Sequence, residues 1–171
     1  MYASATRDSL PRRSFKVRPS FPDVPKVDAE KTQRGFPNER VILMNSIRVL
    51  IVDDSSVMRK ILERSLRQAG VELTSVCQAG NGAEALAVLA ENQVDLILCD
   101  INMPVMDGLE FVKQLPGVEN AKGAPVIMIT TEGSESHVVQ ALSAGAKGYL
   151  RKPFTPEQVK DHVIPLLGVK A

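Results

Sequence analysis

The sequence predicts an α/β fold, a parallel sheet covered by helices on both faces. Three observations lead to it. From Ile47 onward, five short apolar runs alternate with five stretches of helical periodicity. The runs Ile47–Val52 and Val94–Cys99 are apolar almost throughout rather than at every second position, as strands buried on both faces are. Consecutive runs are separated by helix-length stretches, and crossovers of that kind join parallel neighbours.

Taken in order, Ile47–Val52 is the first strand. Met58, Leu62, Leu66 and Ala69 then recur at spacings of four, four and three, an apolar helical stripe that Gly70 ends. Val71–Cys77 is the second strand. Asn81-Gly-Ala-Glu84 has the spacing of a capping box and opens a helix through Leu86 and Leu89. Val94–Cys99 is the third strand, and a loop with Pro104 and Gly108 leads into a helix carrying Leu109, Val112 and Leu115. Pro125–Ile129 is the fourth strand, Val138–Ala144 a small-residue helix and Gly148–Arg151 a short fifth strand. Thr155-Pro-Glu-Gln158 joins a capping box to proline at the first helical position, which starts the last helix.

The 171 residues suffice for one ordinary domain and a tail. A domain of roughly 120–130 residues buries about two-thirds of its unfolded surface and needs no staples. Pro11, Pro19, Pro22, Pro25 and Pro37 interrupt any pattern before Met44. Residues 1–46 are therefore expected to be a disordered, Pro-rich basic extension, or an over-extended start with Met44 as the alternative, and residues 47–171 the folded domain. The extension holds nine Lys and Arg against five Asp and Glu; the remainder holds twelve against fifteen. A folded part with net charge −3 lacks the basic footprint of a direct nucleic-acid binder. No apolar run approaches membrane-spanning length and no secretory core is present, so no membrane partner and a cytoplasmic location are expected. Two cysteines without metal-ligand spacing and two histidines argue against a zinc site. Nineteen residues follow Lys152, room for one helix, so no output domain is expected.

In open α/β sheets, ligands bind beyond the carboxyl ends of the strands. The first strand ends in Asp53-Asp54, the third in Asp100, the fourth in Thr130 and the fifth in Arg151-Lys152. Each alone has a bland explanation: a cap, the start of a turn, a polar strand end, a solvated charge. Together, at four strand ends of one sheet, they make a site. Two carboxylates about 4 Å apart repel by roughly 4 kcal/mol at an effective dielectric of about 20. Three in one pocket must shift their pKa values or hold a cation. With oxygen ligands only, that cation is hard, and Mg²⁺ is expected. A carboxylate beside Mg²⁺ and a lysine can attack phosphorus to give an aspartyl phosphate, with Thr130 hydrogen-bonding the transferred group.

The segments VLIVDDSSVMRKIL, LILCDINMPVMDGLEF, VIMITTEG and AGAKGYLRKPFTPEQV resemble, in order and spacing, the receiver domain of two-component response regulators. Most similar in look are the stand-alone chemotaxis-type, CheY-like regulators, and the resemblance covers residues 47–168. It implies a flavodoxin-like three-layer sandwich with strand order 2-1-3-4-5 and five helices. It implies that Asp100 is the phosphoacceptor, that Asp54 and Asp100 ligate Mg²⁺ directly, that Asp53 acts mostly through a metal-bound water, and that the Asn102 main-chain carbonyl completes the ligands. Lys152 would pair with the phosphate and Thr130 hydrogen-bond it. Thr130 and Tyr149 would be the switch pair, and Asn102 and Glu132 would tune phosphate lifetime. The Lys152–Pro153 bond would be cis. The implied partners are a sensor histidine kinase as donor and a protein target on the face of the fourth helix, fifth strand and last helix. The chain would not be an enzyme beyond its own phosphorylation and dephosphorylation.

With that strand order, Cys77 and Cys99 lie two strand spacings apart, roughly 9–10 Å, too far for a disulfide. His137, opening the fourth helix, reads as a surface or capping residue rather than a phosphocarrier. A phosphorelay intermediate that hands its phosphoryl group to a histidine phosphotransfer protein would carry the same residues. A haloacid-dehalogenase-like phosphatase would place Asp-x-Asp on the nucleophile strand, where this chain has Asn102 and lacks a substrate-capping insertion. A nucleotide or flavin module would need a Gly-rich loop after the first strand, and none is there.

Overall fold

Strands β1 (Ile47–Val52), β2 (Leu73–Ala79), β3 (Leu96–Asp100), β4 (Val126–Thr130) and β5 (Gly148–Arg151) pair in parallel in the order β2-β1-β3-β4-β5. The computed structural model describes residues 46–131 and 134–168. The order is the flavodoxin-like one expected. All but Ser46 of the expected extension, and Glu132, lie outside the described residues.

The helices are α1 (Ser56–Gln68), α2 (Gly82–Glu91), α3 (Gly108–Gln114), α4 (Glu135–Ser143) and α5 (Pro156–Leu167). Side chains alternate across a strand, and the sheet therefore has two cores. On one face Val49, Ile51, Leu98 and Ile129 meet Leu62 and Leu66 of α1 and Val159 and Val163 of α5. On the other, Leu50, Val52, Cys99 and Met128 meet Leu89 of α2, Phe111 of α3 and Ala141 of α4. Burying each Leu, Ile, Val or Phe contributes about 1.5–3 kcal/mol, which is why β3 and β4 carry no exposed residue. Arg48 is the one charge within β1. Its Nε and Nη2 donate to the two carboxylate oxygens of Asp95 at 2.9 and 3.0 Å, at the amino end of the sheet.

Several boundaries differ from the sequence reading, each because backbone groups are claimed locally. The expected second strand began at Val71, but the N–H of Val71 closes the end of α1 on the Leu66 carbonyl, beside a Gly70 bond to Arg67. Gly70 sits at φ +84° to make this turn, so β2 starts at Leu73 and runs on to Ala79. Val94, the expected start of the third strand, donates instead to Asn120. The stripe of α3 stops at Gln114, because Pro116 has no N–H and the chain tightens into a 3₁₀ turn at Leu115–Gly117. Helix α4 begins three residues before the expected Val138, after Ser134. The box at Asn81 is half as expected: Glu84 N–H donates to Asn81 Oδ1, but the Glu84 carboxylate takes the N–H of Gly80. At Thr155 and Gln158 both arms form. β1 separates the strands of Cys77 and Cys99, and both thiols are free.

Val105, in the loop between β3 and α3, has φ +69° and is 86% exposed. A β-branched residue pays roughly 1–2 kcal/mol for that conformation, and no packing offsets it. Val105→Asn is expected to raise stability by about 1 kcal/mol and the melting midpoint by about 3–5 °C. Thermal unfolding followed by circular dichroism measures this, and an unchanged or lower midpoint contradicts it.

Candidate functional site

Asp53 follows β1, Asp100 ends β3, Thr130 ends β4 and Lys152 follows β5. The sheet order makes these strands successive neighbours, so the four ends share one edge. Val52 lies opposite Cys99, which sets Asp53 level with Asp100. Asp53, Asp100 and Thr130 are buried and Asp54 is exposed. One carboxylate oxygen from each of Asp53, Asp54 and Asp100 lies within 4.8 Å of the others.

Lys152 spans the cluster. Its Nζ donates to Asp53 Oδ2 at 2.7 Å and to Asp100 Oδ1 at 3.2 Å. Its main-chain N–H donates to the Thr130 carbonyl at 2.7 Å, and the following bond to Pro153 is cis, as expected. Burial pushes the Asp100 carboxyl above its ordinary range; Lys152 pulls it back through charge and hydrogen bond, while Asp53 adds to the rise. Burial alone would lower Lys152, but its hydrogen bond to Asp53 and the charges of Asp100 and Asp53 outweigh that and hold it above the usual value.

Asp53 is held at every polar group. Its N–H donates to Ala79 O at 3.1 Å, its Oδ1 accepts from Ser55 N–H at 2.9 Å, and its main-chain carbonyl accepts from Arg59 Nη1. Ser55, rather than either acid, caps α1 by accepting from Met58 N–H. The three carboxylates and one ammonium carry net −2, which a divalent cation cancels. All the donors are oxygen. Cys99, whose Sγ donates to the Asp100 main-chain carbonyl at 3.2 Å, is buried with its thiol pushed well up, first by burial and then by the Asp100 charge, which disfavours the thiolate a metal would need. The residues fit a hard cation such as Mg²⁺.

Sequence reading placed Gly108 in a loop and passed over its role. Its N–H donates to Ile101 O at 2.9 Å, and a Cβ there would collide with the Asp100 carbonyl. Only glycine lets α3 start this close beneath the acid. Arg59 was also passed over; a long cation on the second turn after an Asp-Asp pair was the available signal. Tyr149 is half-buried on β5 opposite Met128, and Asn102 is exposed two residues past Asp100. His137, half-buried in the first turn of α4, shares a hydrogen bond between its Nδ1 and Ser134 Oγ at 2.9 Å, a side-chain contact that caps no backbone group. No helix among the described residues is long and apolar enough to cross a membrane.

Residues 49–164 match the family model of the response regulator receiver domain. The chain belongs to the response regulator receiver family. Chemotaxis protein CheY1 of Helicobacter pylori is 42% identical over 123 residues, covering 71% of this chain and 98% of that protein. The CheY homolog of Campylobacter jejuni is 41% identical over 123 residues, covering 71% and 93%. The solved structure of the Vibrio cholerae chemotaxis response regulator CheY4 superposes with a TM-score of 0.64 at 39% identity, covering 72% of this chain and 100% of that one. A CheX–CheY complex with BeF₃ and Mg²⁺ from Borrelia burgdorferi gives a TM-score of 0.62 at 32% identity, covering 70% and 87%. This is a CheY-like receiver domain of the chemotaxis type. Receiver domains bind Mg²⁺ at an acidic pocket, and Asp53, Asp54 and Asp100 form an acidic cluster in this chain.

Because burial raises Asp100, its ionised form favours unfolding: stability is lost as pH rises through the carboxylate range. Asp100→Asn removes that charge and its repulsion from Asp53. Without divalent cation the variant is expected to be about 1 kcal/mol more stable, a midpoint about 3–5 °C higher, at neutral pH. The gap should close in acid. Mg²⁺ should raise the wild-type midpoint and narrow it. A metal-free variant that melts below wild type at neutral pH contradicts this account.

Proposed function

We propose that the chain is a chemotaxis-type response regulator that takes a phosphoryl group from a sensor histidine kinase onto Asp100, using Mg²⁺, and thereby changes its affinity for a protein target. The observation that carries the reading is Lys152 Nζ donating to both Asp53 and Asp100 within a three-carboxylate cluster. Asp54, Asp100 and the Asn102 main-chain carbonyl would hold the ion directly, and Asp53, its two oxygens already accepting from Ser55 and Lys152, would act mostly through water. When bound, Mg²⁺ supplies charge neutralisation on the transferring group and relief of the carboxylate repulsion.

The residues do the rest. A carboxylate oxygen of Asp100 attacks phosphorus as the bond to the donor histidine nitrogen breaks. Lys152, already donating to Asp100, follows the charge onto the phosphoryl oxygens, and the Thr130 hydroxyl donates to one of them. Thr130 and Tyr149 serve as the switch pair, and Asn102 and Glu132 set the phosphate lifetime. The target surface is α4, β5 and α5. A recess of about 430 Å³ there, lined by Tyr149, Arg151, Lys152, Gln158 and His162, borders the lysine. The Borrelia relative solved with CheX, BeF₃ and Mg²⁺ supports a protein partner. The chain is a switch rather than an enzyme with outside substrates, and acts in the cytoplasm, where Cys77 and Cys99 remain thiols.

Mass spectrometry after incubation with Mg²⁺ and a small phosphoryl donor tests this. One phosphoryl group is expected on the wild type and none on Asp100→Asn or after chelation; equal labelling of Asp100→Asn sinks the proposal. Lys152→Ala should keep part of the labelling yet lose the coupling. The chain has two tyrosines and no tryptophan, so the ring resonances of Tyr149 are easily followed by NMR. Their shift on phosphorylation should disappear in Lys152→Ala, and a shift equal to the wild type contradicts the coupling.

A further inference from the structure

We infer that Arg59 is a positioning residue that aims the acidic pair of the cation site by gripping the peptide between Asp53 and Asp54. The inference rests on the proposed Mg²⁺-dependent reading of the site. Arg59 is half-buried on α1. Its Nη1 donates to the Asp53 main-chain carbonyl at 2.6 Å, and its Nε donates to Gln78 Oε1 at 3.0 Å. Gln78 lies on β2 opposite Ile51, so the guanidinium is braced from the neighbouring strand. The β1–β2 ladder stops with the Asp53 N–H on Ala79 O, and Arg59 supplies the next donor where the ladder has none left.

The consequence falls on Asp54. Its exposed carboxylate makes no hydrogen bond to another side chain among the described residues, so its direction is set by its backbone. The Asp53 carbonyl and the Asp54 N–H belong to one planar peptide unit. Fixing the carbonyl fixes that plane, and with it the Cα from which Asp54 projects. The Asp53 side chain is separately held by Ser55 and Lys152. Arg59 thus governs the acid that no other side chain among the described residues holds. Groups that orient metal ligands typically contribute about 10–100-fold to metal affinity.

The sign of the effect separates positioning from charge. Removing a cation beside three carboxylates would, by Coulomb attraction alone, tighten Mg²⁺ binding; loss of positioning weakens it. Isothermal titration of the full chain with Mg²⁺ should show Arg59→Met weaker by about tenfold, with Arg59→Lys between it and wild type. Gln78→Leu, which removes only the brace, should weaken binding by about two- to threefold and serves if Arg59→Met does not fold. Circular dichroism in metal-free buffer accompanies each titration. A lower midpoint with unchanged Mg²⁺ affinity in the folded variant marks Arg59 as a strand-end stabiliser only and overturns the inference, as does tighter binding. If the wild type itself binds no Mg²⁺, it is the proposed function that fails.

Discussion

The mutual repulsion of Asp53, Asp54 and Asp100 is the constraint around which this molecule is arranged, their oxygens lying within 4.8 Å of one another. The crowding follows from the sheet. Adjacent strands run about 4.8 Å apart, and the pairing of Val52 with Cys99 sets Asp53 level with Asp100. No rotamer choice removes the two acids from each other's field while that register holds. Lys152 answers the repulsion from a distance. It follows β5, two strands from β3, and only its long stem lets the ammonium reach both acids. Lys152 is the one cation hydrogen-bonded to the carboxylates, and even with Arg59 on the Asp53 carbonyl the three acids outnumber the cations, which makes the edge receptive to a divalent ion.

Such a pocket needs its backbone held more firmly than its side chains. Asp53 is fixed at its N–H, its carbonyl and both carboxylate oxygens. Asp100 lies over Gly108, whose missing Cβ admits α3 beneath its carbonyl. Asp54 is exposed at the rim of the cluster and has no side-chain hydrogen bond among the described residues, which leaves it the acid with most freedom to meet an incoming ion. The site thus joins a rigid floor to one adjustable ligand. Electrostatic strain is tolerated because the two cores beneath are closely filled, with Phe111, Leu50 and Ile129 fully enclosed.

Much of this was legible in the residues. The apolar runs located β1, β3 and β4 because burial on both faces of a parallel sheet leaves little room for polar positions, while the half-exposed edge strands β2 and β5 were placed by their spacing between helices. The strand-end acids, Thr130 and Lys152 were legible for the same reason: a charge just past an apolar run has only the sheet edge to occupy. What escaped notice were the groups that act through the main chain. Arg59 and Gly108 serve the site by binding or making way for backbone carbonyls, and Ser55 by its main-chain N–H on the Asp53 carboxylate; main-chain groups leave no mark in a sequence. The shifted start of β2 has the same origin, since Val71 reads as a strand residue until its N–H is seen closing α1.

The same geometry explains why a signal from this pocket would leave by β5. Moving a two-state equilibrium from 1:99 to 99:1 takes about 5.5 kcal/mol, so the responding element must be cheap to displace. β3 is flanked by β1 and β4 and wholly buried, and shifting it would break two ladders. β5 has four residues, pairs with β4 alone and is partly exposed. Its end is tied to the pocket twice, by the Lys152 ammonium and by the Lys152 N–H on the Thr130 carbonyl. Under the proposed function, a phosphoryl group that drew Lys152 and Thr130 toward itself would pull on this short edge strand, and Tyr149, three residues before the lysine, would ride on it. Asp53 and Asp100 must be firmly held for that pull to have direction, and the edge strand must be weakly held for it to have effect.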